Sequence, residues 1–344
     1  MECMGCQMPR SLNGAARAFI WAPQGHTAQK IGHYLEDRGY GYDHRRADDC
    51  VVVEVPDLPR FVLGLNGLLG EVERQNTRIL ILDEGEPSLR HFGQVVTVAE
   101  LSLQLRGSWV VRLIEEGRLH MHAQPILQMK DRAIYGHEFL MRGEDEDGQP
   151  LGPAGIFDAA RDPRILFNLD RAARIKAVET AAEAGIAGAI FINFMPGSVY
   201  DPNVCLRTTV NAVIEREIDP RRVVFEIVET EKIQDFMHLR GIINFYRQSG
   251  FRIALDDFGS GYSNLDAYLA LQPDFIKLDK SLTRDIASDP AKRDLIGSLV
   301  QRADGQAIST IAEGIESEEM AGVLTQLGVQ FGQGYHFGRP CALT

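Results

Sequence analysis

From Arg118 onward the sequence repeats one unit: a short apolar run that closes on a polar side chain, followed by a helical stretch. The runs are LHMHAQPILQM, AIYGHEFLM, AIFINF, RVVFEIVE, FRIALDDF, FIKLD, AISTIAEGIE and VQFGQG. Helical segments such as DRAARIKAVETAAEAG, EKIQDFMHLRGIINFYRQSG and AKRDLIGSLVQRADG lie between them. Eight such strands spread over about 230 residues predict a β/α barrel. Only Lys130 to Ala133 separate the first two runs, too few for a helix. These two strands therefore form a hairpin, and one barrel strand runs antiparallel.

Ahead of this region, residues 15–100 read as a small α/β unit. ARAFIWAP, CVVVEV, RILILD and QVVTVAE are strand-like, and HTAQKIGHYLEDRG and LPRFVLGLNGLLGEVERQ are helical in period. Their alternation predicts a small, mostly parallel, receiver-like sheet. Asp83, closing RILILD, imitates a phosphoacceptor, but the rest of a receiver's acidic pocket is missing and a solvated strand-end acid is the simpler reading. LSLQLRGSWVVRLIEEG is an amphipathic helix expected to join the units and pack on the second. The expected organisation is a tail over 1–14, a regulatory α/β domain over 15–100, and an α/β, TIM-like (β/α)8 barrel over 101–344.

Chemistry in such a barrel is built at the C-terminal ends of the strands. The polar residues of the repeated unit fall there: Glu138, Asn193, Glu226 and Glu229, Asp256 and Asp257, Lys277 and Asp279, Glu313 and Glu316, and Gln333. One strand-end acid usually caps a helix. Six strands that each deliver a carboxylate or amide to one mouth would repel strongly without compensating cations. Hard oxygen donors favour Mg²⁺, Mn²⁺ or Ca²⁺ over zinc. The adjacent Asp256 and Asp257 suit a bridged pair of metals, which can drive an in-line displacement at phosphorus, and Lys277 adds a cation for the developing charge. The Asp257-Phe258-Gly259 triplet also occurs in kinases, but no glycine-rich nucleotide loop precedes it and no HRD motif exists.

Taken together these segments resemble the EAL-domain family of cyclic di-GMP phosphodiesterases. The resemblance runs from about Leu103 to Thr344. It rests on Gln124-Pro125-Ile126, the signature Glu138-Phe139-Leu140 followed by Met141 and Arg142, Phe191-Ile192-Asn193-Phe194, and Glu226-Ile227-Val228-Glu229. It continues through Asp256-Asp257-Phe258-Gly259-Ser260-Gly261-Tyr262-Ser263, Ile276-Lys277-Leu278-Asp279, Ala312-Glu313-Gly314-Ile315-Glu316 and Gln333-Gly334-Tyr335. The resemblance implies an enzyme, expected as a homodimer through the barrel, that opens cyclic di-GMP to linear pGpG; the N-terminus MECMGCQMPR, with no apolar signal core, reads as that of a cytoplasmic chain. It implies one metal held by Glu138, Asn193, Glu226 and Asp256, and a second by Asp256, Asp257 and Glu313. It implies Mg²⁺ or Mn²⁺ as the working ions, with Ca²⁺ binding but supporting hydrolysis poorly. Lys277, Glu313, Asp257 and Glu229 are the implied catalytic set, with Glu229 securing the glycine-rich loop. Gln124, Leu140, Arg142, Asp279, Glu316 and Gln333 are the implied substrate contacts. The chain departs from the pattern at Phe139, where the family has alanine, at Met195-Pro196, and at Gly143 with the acidic stretch Glu144 to Asp147. None of these removes an implied ligand. An EAL-type barrel that binds cyclic di-GMP without turning it over is the alternative, motivated by Phe139 and the altered loop.

A net charge of −12 argues against a grip on long nucleic acid, which calls for a basic surface. No apolar run reaches the roughly 18 residues of a membrane span. The five cysteines, an odd and scattered set, do not make a disulfide framework. Cys3 and Cys6 form a single C-x-x-C, which would need His26 or His33 to approach a zinc site.

Overall fold

A computed structural model describes residues 8, 12–23, 25–45, 49–199, 201–228, 236–258 and 271–343. The chain divides into two compact units, one comprising Gln7–Glu116 with Ala154–Leu166 and the other built from Gly117–Pro153 and Phe167–Thr344. No helix among the described residues is long and apolar enough to cross a membrane.

The first unit runs β1 (Ala16–Trp21), α1 (Gly25–Asp37), β2 (Tyr42–Arg45), β3 (Cys50–Val55), α2 (Leu58–Leu68), α3 (Glu71–Asn76), β4 (Arg78–Leu82), β5 (Val96–Thr97) and α4 (Val98–Glu115). Its sheet order is β2-β3-β1-β4-β5, and every pairing is antiparallel. This corrects the parallel, receiver-like expectation. The overlooked element is β2, whose sequence YDHR is polar and mostly exposed and so carries no apolar alternation. It forms a hairpin with β3, which slots between β2 and β1 in the manner of a split βαβ unit. The run QVVTVAE is also not a full strand. Thr97 and Glu100 make a reciprocal capping box, so the helix begins at Val98. That helix, α4, packs on α2 and α3, and Val98 and Leu101 enter the same core as Phe61 and Leu65. Asp83 stands exposed after β4. His26 lies near Glu73, and Cys3 and Cys6 fall outside the described residues.

The second unit is a closed eight-stranded barrel. Its staves are β6 (Leu119–Gln128), β7 (Ile134–Glu144), β9 (Ala189–Phe194), β10 (Val223–Val228), β11 (Arg252–Phe258), β12 (Phe275–Leu278), β13 (Ser309–Ala312) and β14 (Phe331–Gly332), with short outer strands β8 (Pro150–Leu151) and β15 (Cys341–Ala342). Neighbouring staves from β7 through β14 are parallel, while β6 is antiparallel to both β7 and β14 and closes the ring, as the short hairpin requires. Helices α5 (Pro153–Ala159), α6 (Pro163–Glu183), α7 (Pro202–Cys205), α8 (Arg207–Glu215) and α9 (Phe236–Gln248) are among those that lie between staves in the chain.

Strand alternation fills the barrel in layers. Ile126, Ala189, Phe191, Val224, Ala254, Phe275 and Ile311, with Tyr135 and Phe331, form one buried apolar floor. Gly136 completes it on β7, where any Cβ would stand 2.4 Å from the Ala189 carbonyl oxygen. Two residues onward on each stave, about 6.6 Å higher, the inward positions become polar.

Candidate active site at the barrel mouth

The polar layer follows directly from the floor by strand parity. Phe191 is succeeded by Asn193, Val224 by Glu226, Ala254 by Asp256, Phe275 by Lys277, Ile311 by Glu313 and Phe331 by Gln333. On the reversed stave β6, Gln124 precedes Ile126 and so reaches the same level, with Gln124 directly opposite Glu138 in register.

Lys277 is the hub. Its ammonium is buried and lies 2.8 Å from Glu313, 2.9 Å from Glu226, 3.0 Å from Asp256 and 3.3 Å from Glu138. Glu138 also accepts hydrogen bonds from Asn193 Nδ2 at 2.8 Å and Gln333 Nε2 at 2.7 Å. Gln333 Nε2 donates to Gln124 Oε1 at 2.9 Å as well, and Gln124 Nε2 donates to the Gly338 carbonyl at 3.0 Å.

Asp256 and Asp257 are consecutive, and regular alternation would turn one of them outward. A register shift between Leu255 and Phe258 and a left-handed backbone at Asp257, φ 55°, break the alternation. Such a bulge re-aims a side chain at a functional rim and stores backbone strain there. As a result Asp256, Asp257 and Glu313 offer oxygens that all lie within 4.8 Å of one another.

One ammonium does not balance this many carboxylates. Burial, then the charge of Glu138, pushes the Glu226 carboxyl well above its ordinary range despite Lys277. Burial also lifts Glu313 to about 7, again with Asp256 and Glu138 raising it and Lys277 opposing. Asp257 is raised by burial, Asp256 and Asp279. At Glu138 burial is outweighed by Lys277 and by the amides of Gln333 and Asn193, which hold its carboxyl below the usual value. Burial works against the Lys277 charge too, but Asp256, Glu138, Glu226 and Glu313 keep it protonated far above the usual range.

The donor set fits divalent cations. Both Glu226 carboxylate oxygens and Asp256 Oδ1 are buried and accept no hydrogen bond of good geometry, although Lys277 stands close to each residue. Buried carboxylate oxygens left so are expensive unless a cation takes them. All donors are hard oxygens, the ligand type of Mg²⁺, Mn²⁺ and Ca²⁺.

The family model described as EAL domain matches residues 108–340. The chain belongs to the EAL domain family. Among curated relatives, it is 27% identical over 311 residues to the probable cyclic di-GMP phosphodiesterase PdeA of Escherichia coli, covering 88% of this chain and 40% of PdeA. It is 29% identical over 238 residues to the probable cyclic di-GMP phosphodiesterase PdeG of the same organism, covering 67% of this chain and 46% of PdeG. The chain thus spans less than half the length of these relatives. A crystal structure of a standalone EAL protein from Vibrio cholerae with cyclic di-GMP bound matches with a TM-score of 0.59 and 32% identity, over 64% of this chain and 92% of that one.

The EAL signature's first residue, Glu138, sits in the polar layer, and alternation turns Phe139 to the opposite face of β7, where it is buried. Not every expected contact joins the cluster. Arg142 is half-buried farther along β7, with its guanidinium on the Met141 carbonyl at 2.7 Å. Leu140 is half-buried on the same stave and Glu316 is exposed. Asp279 is buried, caps the turn that follows β12 through Ser281 N–H at 2.9 Å, and acts on Asp257. Glu229 and the loop from Gly259 lie outside the described residues. Sequence reasoning missed two positioning residues. Thr283 Oγ1 donates to the Glu313 carbonyl at 2.6 Å. Gly314, at φ 65°, passes where a Cβ would stand 2.7 Å from Lys280 Cβ. The glycine was visible in Ala312-Glu313-Gly314, but nothing in the sequence marks a threonine thirty residues upstream.

Proposed function

We propose that this EAL barrel hydrolyses cyclic di-GMP to linear pGpG with two divalent cations, Mg²⁺ or Mn²⁺. The observation that carries the reading is the excess, among the described residues, of buried carboxylates over the Lys277 ammonium at the mouth of a barrel of this family. Cyclic di-GMP is the ligand named for the similar Vibrio cholerae structure, and both Escherichia coli relatives are named as probable phosphodiesterases of it.

Glu138, Asn193, Glu226 and Asp256 would hold one ion and Asp256, Asp257 and Glu313 the other. When bound, the pair supplies the Lewis acidity that activates water and steadies the leaving oxygen of an in-line displacement. Water adds across one P–O3′ bond, so phosphorus gains the hydroxyl, the freed 3′ oxygen gains the proton, and the ring opens once. Lys277, fixed as a cation by its neighbours, stabilises charge developing on the phosphoryl oxygens. The amides of Asn193 and Gln333 hold Glu138 in one orientation, and Gln124 steadies Gln333. Arg142, outside the acidic cluster, has donors beyond the one on the Met141 carbonyl with which to meet a second phosphate or a guanine edge.

The test is chromatography of cyclic di-GMP incubated with chelator-treated protein, with and without added Mn²⁺ or Mg²⁺. Metal-dependent appearance of pGpG supports the reading. Tight binding without product in every metal would replace it with the receptor reading.

A further inference from the structure

The first unit carries a cavity of about 580 Å³ that the phosphodiesterase reading does not use. Tyr34, Arg38, Tyr40, Glu54, Asp57 and Arg60 line it, contributed by α1, the turn after it, β3 and the start of α2. Its size lies in the range of small-molecule sites.

The charged groups in it are unequally committed. Glu54 pairs with Arg17 Nε at 2.8 Å. Asp57 caps α2 by accepting the Arg60 backbone N–H at 3.0 Å. The side chains of Arg38 and Arg60, by contrast, have no carboxylate partner among the described residues, in a chain of net charge −12. Both guanidinium groups stand near enough to the Tyr34 hydroxyl to oppose the burial that raises its pKa. The lining is formally neutral, two guanidiniums against two carboxylates, but the charged donors in it that no carboxylate engages are those of Arg38 and Arg60.

The walls are aromatic and fixed. The rings of Tyr34 and Tyr40 lie 6.3 Å apart and are tilted by 30°. Phe61 buttresses Tyr40 edge-on at 5.3 Å. The Arg38 guanidinium lies 5.8 Å from the centre of the Tyr34 ring. Residue 64 has to be glycine for Tyr34 to hold this place, because a Cβ there would stand 1.8 Å from the tyrosine oxygen.

We propose that this cavity binds a small planar anion, an aromatic or heteroaromatic ring bearing one phosphate or carboxylate. The ring packs on Tyr34 and Tyr40, and the acid group is taken by Arg38 and Arg60, whose planar donors suit either oxyanion. The site contains no part of the metal cluster and stands whether or not the barrel hydrolyses cyclic di-GMP.

The experiment uses the full chain in chelator, titrated by calorimetry with adenosine 5′-monophosphate and with 4-hydroxybenzoate. The expected result is saturable binding of at least one probe that excess cyclic di-GMP does not displace. Arg38→Gln and Arg60→Gln should each weaken it about tenfold or more, the loss of one charge-assisted hydrogen bond. Both side chains are exposed, so a thermal melt should show unchanged folding in the variants. Failure of both probes to saturate, wild-type affinity in both variants, or displacement by cyclic di-GMP would each overturn the assignment.

Discussion

Among the described residues of the barrel unit, Arg174 and Lys277 are fully buried cations, and their surroundings differ in the number of carboxylates each faces. Arg174, on α6, faces a single carboxylate, with Nε donating to Asp170 Oδ2 at 2.9 Å. Its other neighbours are neutral: the hydroxyls of Thr209 on α8 and Tyr246 on α9, and the Phe194 ring at 5.5 Å. Asp170 in turn accepts the Met195 N–H at 3.1 Å, just past Asn193. Among the described contacts one positive charge meets one negative, with Arg174 Nη2 left as an unpartnered donor, and the pair ties three helices to the end of a stave. Lys277 faces four carboxylates, and oxygens of Glu226 and Asp256 remain unsatisfied. A balanced buried pair locks a structure, whereas an over-acidic one is complete only with further positive charge.

The comparison breaks most visibly in turnover. Asp257→Asn and Glu138→Ala should each lose roughly a thousandfold or more in kcat, about 4 kcal/mol, measured as pGpG formed per folded molecule. Arg174→Met should keep kcat within a few-fold once the folded fraction is counted. Full activity in Glu138→Ala would end the metal assignment.

Stability should show the reverse order. Arg174→Met removes the cation beside buried Asp170 and should cost about 3–5 kcal/mol in urea unfolding. Lys277→Met should destabilise the metal-free protein too, but Mn²⁺ should restore most of that loss, as no ion can for Arg174→Met.

Metal addition is the next sharper. Free Mn²⁺ at about a hundred times its Kd should raise the unfolding free energy of the wild type by about 2.7 kcal/mol. Asp256→Asn should abolish most of this rise, and Arg174→Met should retain it.

A further contrast is a pH slope in chelator. Glu313 is raised to about 7 in the folded chain, mainly by burial, so between its ordinary value of about 4.3 and that point the native state holds a proton that the unfolded chain has released. This contribution is fully present below the ordinary value and is lost as pH rises through about 7. Glu313→Gln or added Mn²⁺ should flatten the slope over that window, and an equally steep slope in both would contradict the cause given.

The barrel was legible because each stave places an apolar residue two positions from a polar one, as in Phe275 and Lys277 or Ala254 and Asp256. The antiparallel β6 was legible from a loop too short for a helix. The first unit's sheet was misread because YDHR lacks apolar alternation, and because Thr97 and Glu100 act as a cap inside a run that reads as a strand. Within the site, strand ends identified Glu138, Glu226, Asp256, Lys277 and Glu313 as one group. That Asp256 and Asp257 share a face was not derivable from alternation, since it depends on a bulge and a left-handed φ. The supports, Thr283 and Asp170, come from helices whose approach no local pattern encodes.

Diffraction at the manganese edge, from crystals grown with Mn²⁺ and cyclic di-GMP, addresses the central claim most directly. The account predicts two anomalous peaks at the barrel mouth, within about 2.0–2.6 Å of carboxylate oxygens, one shared through Asp256 and one touching Asp257 and Glu313. Nucleotide bound at that mouth with no anomalous density among those oxygens would contradict it.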